Sequence, residues 1–229
     1  MRRASPSPIK SLPYIAPFLS FLGLLELYRI LPLPELFLQA AFVAIMAAVL
    51  VAIARPALKL HDLHIRNWPG TVFLGILVFA IWIAPDTISS GYRHFWLFEN
   101  PLTGTAQPGL DAAFRSQPGV LWIRAIRAAV IVPIVEELFW RAWLMRWLLA
   151  SDFESVPLGA STPRVFWIVA VLFAAEHGAY WDVGLAAGIL YNWWMTRTKS
   201  LGDLILAHAV TNACLSLYVV MAGKWAYWS

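Results

Sequence analysis

The 229 residues are 60% hydrophobic and only 13% charged, with a mean hydropathy of +0.67, against about 45–50% apolar and about 25% charged in a soluble domain. That composition excludes an ordinary soluble fold and describes an integral membrane protein, whose thirteen tryptophans suit the bilayer interface. The net charge of +4 is spread over short loops with no long lysine/arginine run, which excludes a nucleic-acid surface and reads as an orientation signal.

Taken in order, residues 1–11 are polar, basic and proline-containing, and read as a cytoplasmic tail (to about residue 12) without a cleavable signal peptide. The first span covers about Tyr14 to Leu31, with Glu26 and Arg29 placed to pair on one helical face. Leu31-Pro32-Leu33-Pro34 is a turn, and the alanine-rich second span runs from Glu35 to Ala54. A basic loop follows, with Arg55, Lys59, His61, His64 and Arg66. The third span, Thr71 to Ala84, is expected to stop at Pro85. Residues 86–118 are the longest polar stretch and the one that reads as a lid, and Tyr92, Phe95, Trp96 and Phe98 suggest a helix lying in the interface.

Gly119 to Ala150 is long for one span, since about 20 residues cross the hydrocarbon. Arg124 and Arg127 are expected at the surface, and Pro133 is expected to bend the helix. Thr162-Pro163 reads as an N-cap followed by the first helical position. The fifth span is about Arg164 to Tyr180, with a turn at Trp181-Asp182. The sixth is Val183 to Thr196, where Gly184 and Gly188 permit close helix contact. The seventh is Leu201 to Ala222, ahead of an aromatic tail with Trp225, Tyr227 and Trp228. Cys214 is the lone cysteine and reads as packing. The predicted fold is therefore all-α: a polytopic transmembrane bundle of about seven spans (six to eight), one domain over 1–229. Loop charges place the N-terminus in the cytoplasm and, with seven spans, the C-terminus outside.

Glu136, Glu137 and Arg141 sit inside the apolar run from Val130 to Ala150. Each charge at mid-bilayer costs about 2.5–3.5 kcal/mol on insertion scales, against a total stability of about 5–15 kcal/mol. These groups must be paired, hydrated or at work. Glu137 and Arg141 are i,i+4 and can pair. Glu136 points about 100° away and needs a partner from another helix. His177 ends the fifth span, while His208 and Asn212 share a face of the seventh. Together they offer a carboxylate base, a histidine to share a water's proton and two donors for an oxyanion, the parts of hydrolysis by an activated water. Glu176 reads as an interface residue.

Glu136 to Arg141 resembles the EExxxR motif of the CAAX protease and bacteriocin-processing family of intramembrane glutamic endopeptidases. Phe173 to His177 resembles its FxxxH motif, and His208 to Asn212 its HxxxN motif. The resemblance covers about residues 120–222, and the plain bundle is similar to a bacterial CAAX prenyl protease-related subgroup that accompanies exosortase systems. It implies that Glu136 and His177 activate the water. His208 and Asn212 steady the oxyanion, Glu137 and Arg141 hold the helix of the first glutamate, and Phe173 packs beside the site. The implied substrate is a membrane protein or lipid-anchored peptide in the bacterial cytoplasmic membrane, and no cofactor is called for.

Two other readings stand beside this one. Two glutamates and two histidines are also a ligand set for a metal such as zinc, although no His-Glu-x-x-His or Glu-x-x-His segment is present. A non-catalytic immunity or assembly factor on the same scaffold is the third. No Gly-x-Ser-Gly segment offers a serine nucleophile, Gly202-Asp203 lacks the surroundings of an aspartyl site, and no internal repeat points to a transporter.

Overall fold

The computed structural model describes residues 8–228; the first seven residues of the expected tail lie outside that range. Seven helices and no strands form the described chain: α1 Pro8–Ile30, α2 Glu35–Ala57, α3 Trp68–Ile88, α4 Pro118–Trp147, α5 Pro163–Ala175, α6 Trp181–Thr198 and α7 Leu201–Ala222. Single 3₁₀ turns at Tyr92–His94, Ala112–Phe114, Phe153–Ser155, Gly178–Tyr180 and Trp225–Trp228 punctuate the connections.

Five of the helices, α1 to α4 and α7, are long and apolar enough to cross a membrane. Only 22–39% of the most apolar stretch of each is buried within the protein. Many of their large apolar side chains face outward, among them Leu19, Phe37, Val51, Phe73, Trp122 and Met221, where only lipid solvates them well. α5 is apolar but has 13 residues, about 20 Å of helix against about 30 Å of hydrocarbon. Thr162 caps it, accepting from Val165 N at 3.3 Å, with Pro163 at the first helical position as the sequence led us to expect.

Several boundaries differ from the sequence reading. α1 already begins at Pro8. α3 runs through Pro85 to Ile88, because Asp86 on its last turn is held by Arg93 Nε at 3.3 Å and by Tyr227 Oη at 2.9 Å. α5 stops at Ala175, so the turn into α6 falls on residues 176–180 and not on Trp181-Asp182. The expected interfacial helix in residues 86–118 is absent: Phe95 and Trp96 are exposed on an irregular loop, and only Phe98 is buried. That loop is tied down by Arg93, which donates to Asp182 Oδ1 at 2.6 Å and to the Ala179 carbonyl at 2.7 Å. Within it, His94 Nδ1 and the Ala106 N–H hold the Glu99 carboxyl below the usual carboxylate range.

Glycines set the closest helix approaches. Gly75 on α3 faces Ala207 and Val210 of α7, and Thr211 Oγ1 donates to the Gly75 carbonyl at 2.8 Å. Gly188 on α6 faces Ala170 and Phe173 of α5, so the Gly184/Gly188 pair does permit close contact.

The far ends of α3 and α7 are joined by Asp203, which is fully buried. Its carboxylate accepts from Arg66 N at 2.9 Å, Asn67 N at 3.1 Å and Thr71 Oγ1 at 2.6 Å, while its own N–H bonds the Ser200 cap at 3.1 Å. Replacing Asp203 by Ala strands three donors, each hydrogen-bonded to a charge. We expect a loss of about 3 kcal/mol or more, read as an earlier midpoint in denaturing-detergent titration followed by tryptophan fluorescence.

Candidate active site

The site is built on an irregularity in α4. Val132 N–H reaches back five residues to the Arg127 carbonyl, the spacing of a widened π turn. In that register the next donor would be residue 133, aimed at the Ala128 carbonyl. Residue 133 is proline and has no N–H. Asn212 of α7 fills the gap, its Nδ2 donating to Ala128 O at 2.9 Å. The bend expected at Pro133 thus takes the form of a wide turn, stitched to the neighbouring helix. A second run of wide turns, Leu138–Leu144, follows the glutamates.

Glu137 and Arg141 are fully buried. Glu137 Oε1 accepts from Arg141 Nη1 at 3.0 Å and lies 2.9 Å from His208 Nδ1. Arg141 also donates from Nε to Asn192 Oδ1 at 3.0 Å, and Asn192 Nδ2 donates to the Phe166 carbonyl at 2.9 Å. The guanidinium lies over the Phe173 ring at 4.4 Å and the Tyr191 ring at 5.5 Å. One carboxylate therefore ties α4 to α6 and α7, and through Asn192 to α5.

Glu136 faces a different group of residues. It is buried, and its Oε2 has no hydrogen-bond partner among the described residues. Glu136, Glu176 and His177 each present one atom able to ligate a metal, a carboxylate oxygen or a ring nitrogen, all within 4.8 Å of one another. His177 Nδ1 lies 2.7 Å from the Phe173 carbonyl. A carbonyl only accepts, so Nδ1 carries the hydrogen and Nε2 keeps its lone pair. Glu176 is held by Trp140 Nε1 at 3.0 Å.

His177 is brought here by the short α5, since the chain turns back immediately after Ala175. Gly178 sits at φ +53°, a left-handed conformation natural to glycine. A β-carbon on Gly184 would stand 3.2 Å from the His177 ring, so that glycine lets α6 close against the imidazole.

A cavity of about 420 Å³ collects these residues: Glu136, Glu176, His177, His208, Asn212 and Phe173 all line it. Phe173 lies between the imidazoles, 4.7 Å from the His177 ring and 6.3 Å from the His208 ring. The structure thus brings Glu136, His177, His208 and Asn212 to one space, but with partners that the sequence reading did not assign. His208 is bonded to Glu137, and one amide hydrogen of Asn212 is committed to Ala128. Glu176 belongs to the cluster, although read from sequence as an interface residue. Asn192 was missed; a lone amide inside an apolar helix is its only signal. Arg124 and Arg127, expected at the surface, are buried against the same cavity.

A family model described as type II CAAX prenyl endopeptidase Rce1-like matches residues 118–214. The match spans α4 to α7 through all three motifs, and it accords with the CAAX protease family read from them. It supports a hydrolase of the protease class on an integral membrane scaffold. No curated protein and no solved structure matches the chain.

Replacing Arg141 by Met leaves Glu137 buried with only His208 beside it. Removing one partner of a buried pair costs about 3–5 kcal/mol. The double variant Glu137→Gln/Arg141→Met is expected to lose clearly less than the two single losses added together, measured by the same unfolding titration.

Proposed function

We propose that the protein is an intramembrane endopeptidase that hydrolyses a peptide bond of a membrane-associated protein or lipid-anchored peptide, with a water activated by Glu136 and His177. The observation that carries this is the approach, within 4.8 Å, of a Glu136 oxygen and a His177 ring nitrogen at the wall of a cavity reached by His208 and Asn212; in this reading the nitrogen that faces the water is Nε2, since Nδ1 is committed to the Phe173 carbonyl. A water between two acceptors directs its hydrogens to them and its lone pair outward. As its oxygen bonds to the peptide carbonyl carbon, a proton passes to Glu136. Collapse of the tetrahedral intermediate breaks the C–N bond, and that proton leaves with the amine.

His208 donates to the developing oxyanion from Nε2 as an imidazolium, with Glu137 as its counter-ion. The second amide hydrogen of Asn212 donates beside it. Glu137 and Arg141 act through His208 and the helix geometry, and Phe173 spaces the two imidazoles. In this reading the N-terminus is cytoplasmic and the membrane is a bacterial inner membrane. The substrate comes from proteins processed there, with an exosortase-type sorting system as a functional associate.

A second reading is favoured by one observation. Glu136, Glu176 and His177 form a three-ligand set with a further direction open, the pattern of a catalytic zinc. The Nδ1 bond to Phe173 is the outer-shell contact such a histidine usually has. In that case a bound metal would supply the activated water, and Glu137 with His208 would stand apart as a separate pair.

The two readings separate experimentally. Under the first, Glu136→Gln lowers turnover of a membrane-anchored reporter peptide by at least about 100-fold, with an unchanged unfolding midpoint, and chelators leave the wild-type rate alone. A stoichiometric metal in the purified protein, with activity lost to chelator and restored by that metal, selects the second. Undiminished cleavage by Glu136→Gln would end both.

A further inference from the structure

The cavity holds two charged groups that the proposed hydrolysis does not use. Arg124 and Arg127 lie nine and more residues before the glutamates on α4, are 5% and 8% exposed, and line the same space as Glu136. Arg127 has no hydrogen bond or ion pair among the described residues, and its Nη1 is buried without a partner. Its guanidinium carbon lies 4.7 Å from the centre of the Phe42 ring and 5.9 Å from that of Tyr28. Arg124 donates to the Trp228 carbonyl, but its Nε is also buried without a partner.

Glu35 does not neutralise them by direct contact. Its Oε1 accepts from Tyr28 Oη and, at 2.9 Å, from Gln39 Nε2. Two neighbouring cations inside a membrane protein, with no carboxylate of the described residues bonded to either, are costly to keep. A ligand that supplies the missing anion removes that cost.

We propose that Arg127, with Arg124 beside it, forms a carboxylate-binding subsite of the cavity, which takes a carboxylate carried by an apolar peptide. This deepens the peptidase reading and rests on it for the nature of the rest of the ligand. Aromatic rings stand over the Arg127 guanidinium, and its N–H edge remains. A planar carboxylate fits that edge in a two-pronged contact. The remaining walls, with Phe18, Phe21, Leu25 and Trp82, suit apolar side chains on either side of the charge. A lipid phosphate can meet the same edge in a two-pronged contact, and the choice of lipid in the test separates it from a peptide carboxylate.

The test uses the full-length Glu136→Gln protein, so that no probe is consumed, in nanodiscs of neutral phosphatidylcholine. One dansyl-labelled apolar peptide is titrated in three forms: free chain-end carboxylate, chain-end amide, and the amide with an internal Gln changed to Glu. At least one carboxylate form is expected to bind about tenfold tighter than the neutral amide, about 1.4 kcal/mol. Arg127→Gln should shrink that gap to within about twofold, while Arg127→Lys keeps a good part of it. Equal binding of the three forms overturns the proposal. So does an unchanged gap in a folded Arg127→Gln protein, or a gap that vanishes when phosphatidylglycerol replaces the neutral lipid, which would assign the arginines to lipid. If Arg127→Gln does not fold, the three-form comparison and Arg127→Lys decide alone. A gap in binding with no cleavage of any peptide by wild type would sink the peptidase reading and leave the subsite standing. Cleavage with no gap would sink the subsite alone.

Discussion

A carboxylate buried in a membrane protein must find its counter-charge within the protein, and the Glu137–Arg141–His208 cluster is how this chain meets that requirement. Glu137 is completely enclosed, and its two hydrogen-bonding neighbours, the Arg141 guanidinium and the His208 imidazole, come from its own helix and from α7. Arg141 passes the constraint on to Asn192 of α6, and the Phe173 and Tyr191 rings cover its face. Helices that would otherwise slide past one another in lipid, where burial of apolar surface gives little preference, are locked in one register by these few polar bonds. That register leaves Glu136 directed into the cavity. The neighbouring carboxylates have thus been given separate duties, one as a structural anchor and the other as a group with an open coordination sphere.

Two departures from regular helix geometry make this possible. Wide turns on either side of residues 132–137 change the phase of α4, and Pro133 opens a backbone acceptor that only Asn212 reaches. The second departure is the truncation of α5, which lowers Glu176 and His177 to the depth of the glutamates. Asn212 is thereby both a stitch between helices and a wall of the cavity. A substitution there acts on backbone satisfaction as well as on whatever occupies the site.

Much of this was legible in the residues, and the limits have physical causes. Spacing within one helix carried over well: Glu26 with Arg29 and Glu137 with Arg141 are both bonded at 3.0 Å, and Thr162-Pro163 starts α5 as its chemistry dictates. The number and order of the seven helices followed from hydropathy, whereas several of their ends did not, and Pro85 did not end α3. Partners across helices were not legible. An ideal step of about 100° per residue fails across α4, where turns widen twice, so facing directions deduced from that step drift. The pairing of His208 with Glu137, the place of Glu176 beside Trp140, and the burial of Arg124 and Arg127 all depend on how separate segments pack against one another, which no single-segment pattern encodes. His177 lies in the turn beyond α5 and not inside a helix, the fifth span read from sequence being several residues too long.

The shortness of α5 has an implication for how such a protein coexists with an energised bilayer. The hydrolysis proposed above requires solvent at the site, yet a continuous aqueous thread across a membrane would leak protons and ions. The cavity is lined by Thr103, Thr105 and Gly178 among others, while Met145, Val169, Met195 and Leu204 are fully enclosed, and neither they nor Asp203 line it. Under the proposed hydrolysis, water would enter at the cavity, and the packed end of the bundle held by Asp203 would keep the membrane's electrical seal.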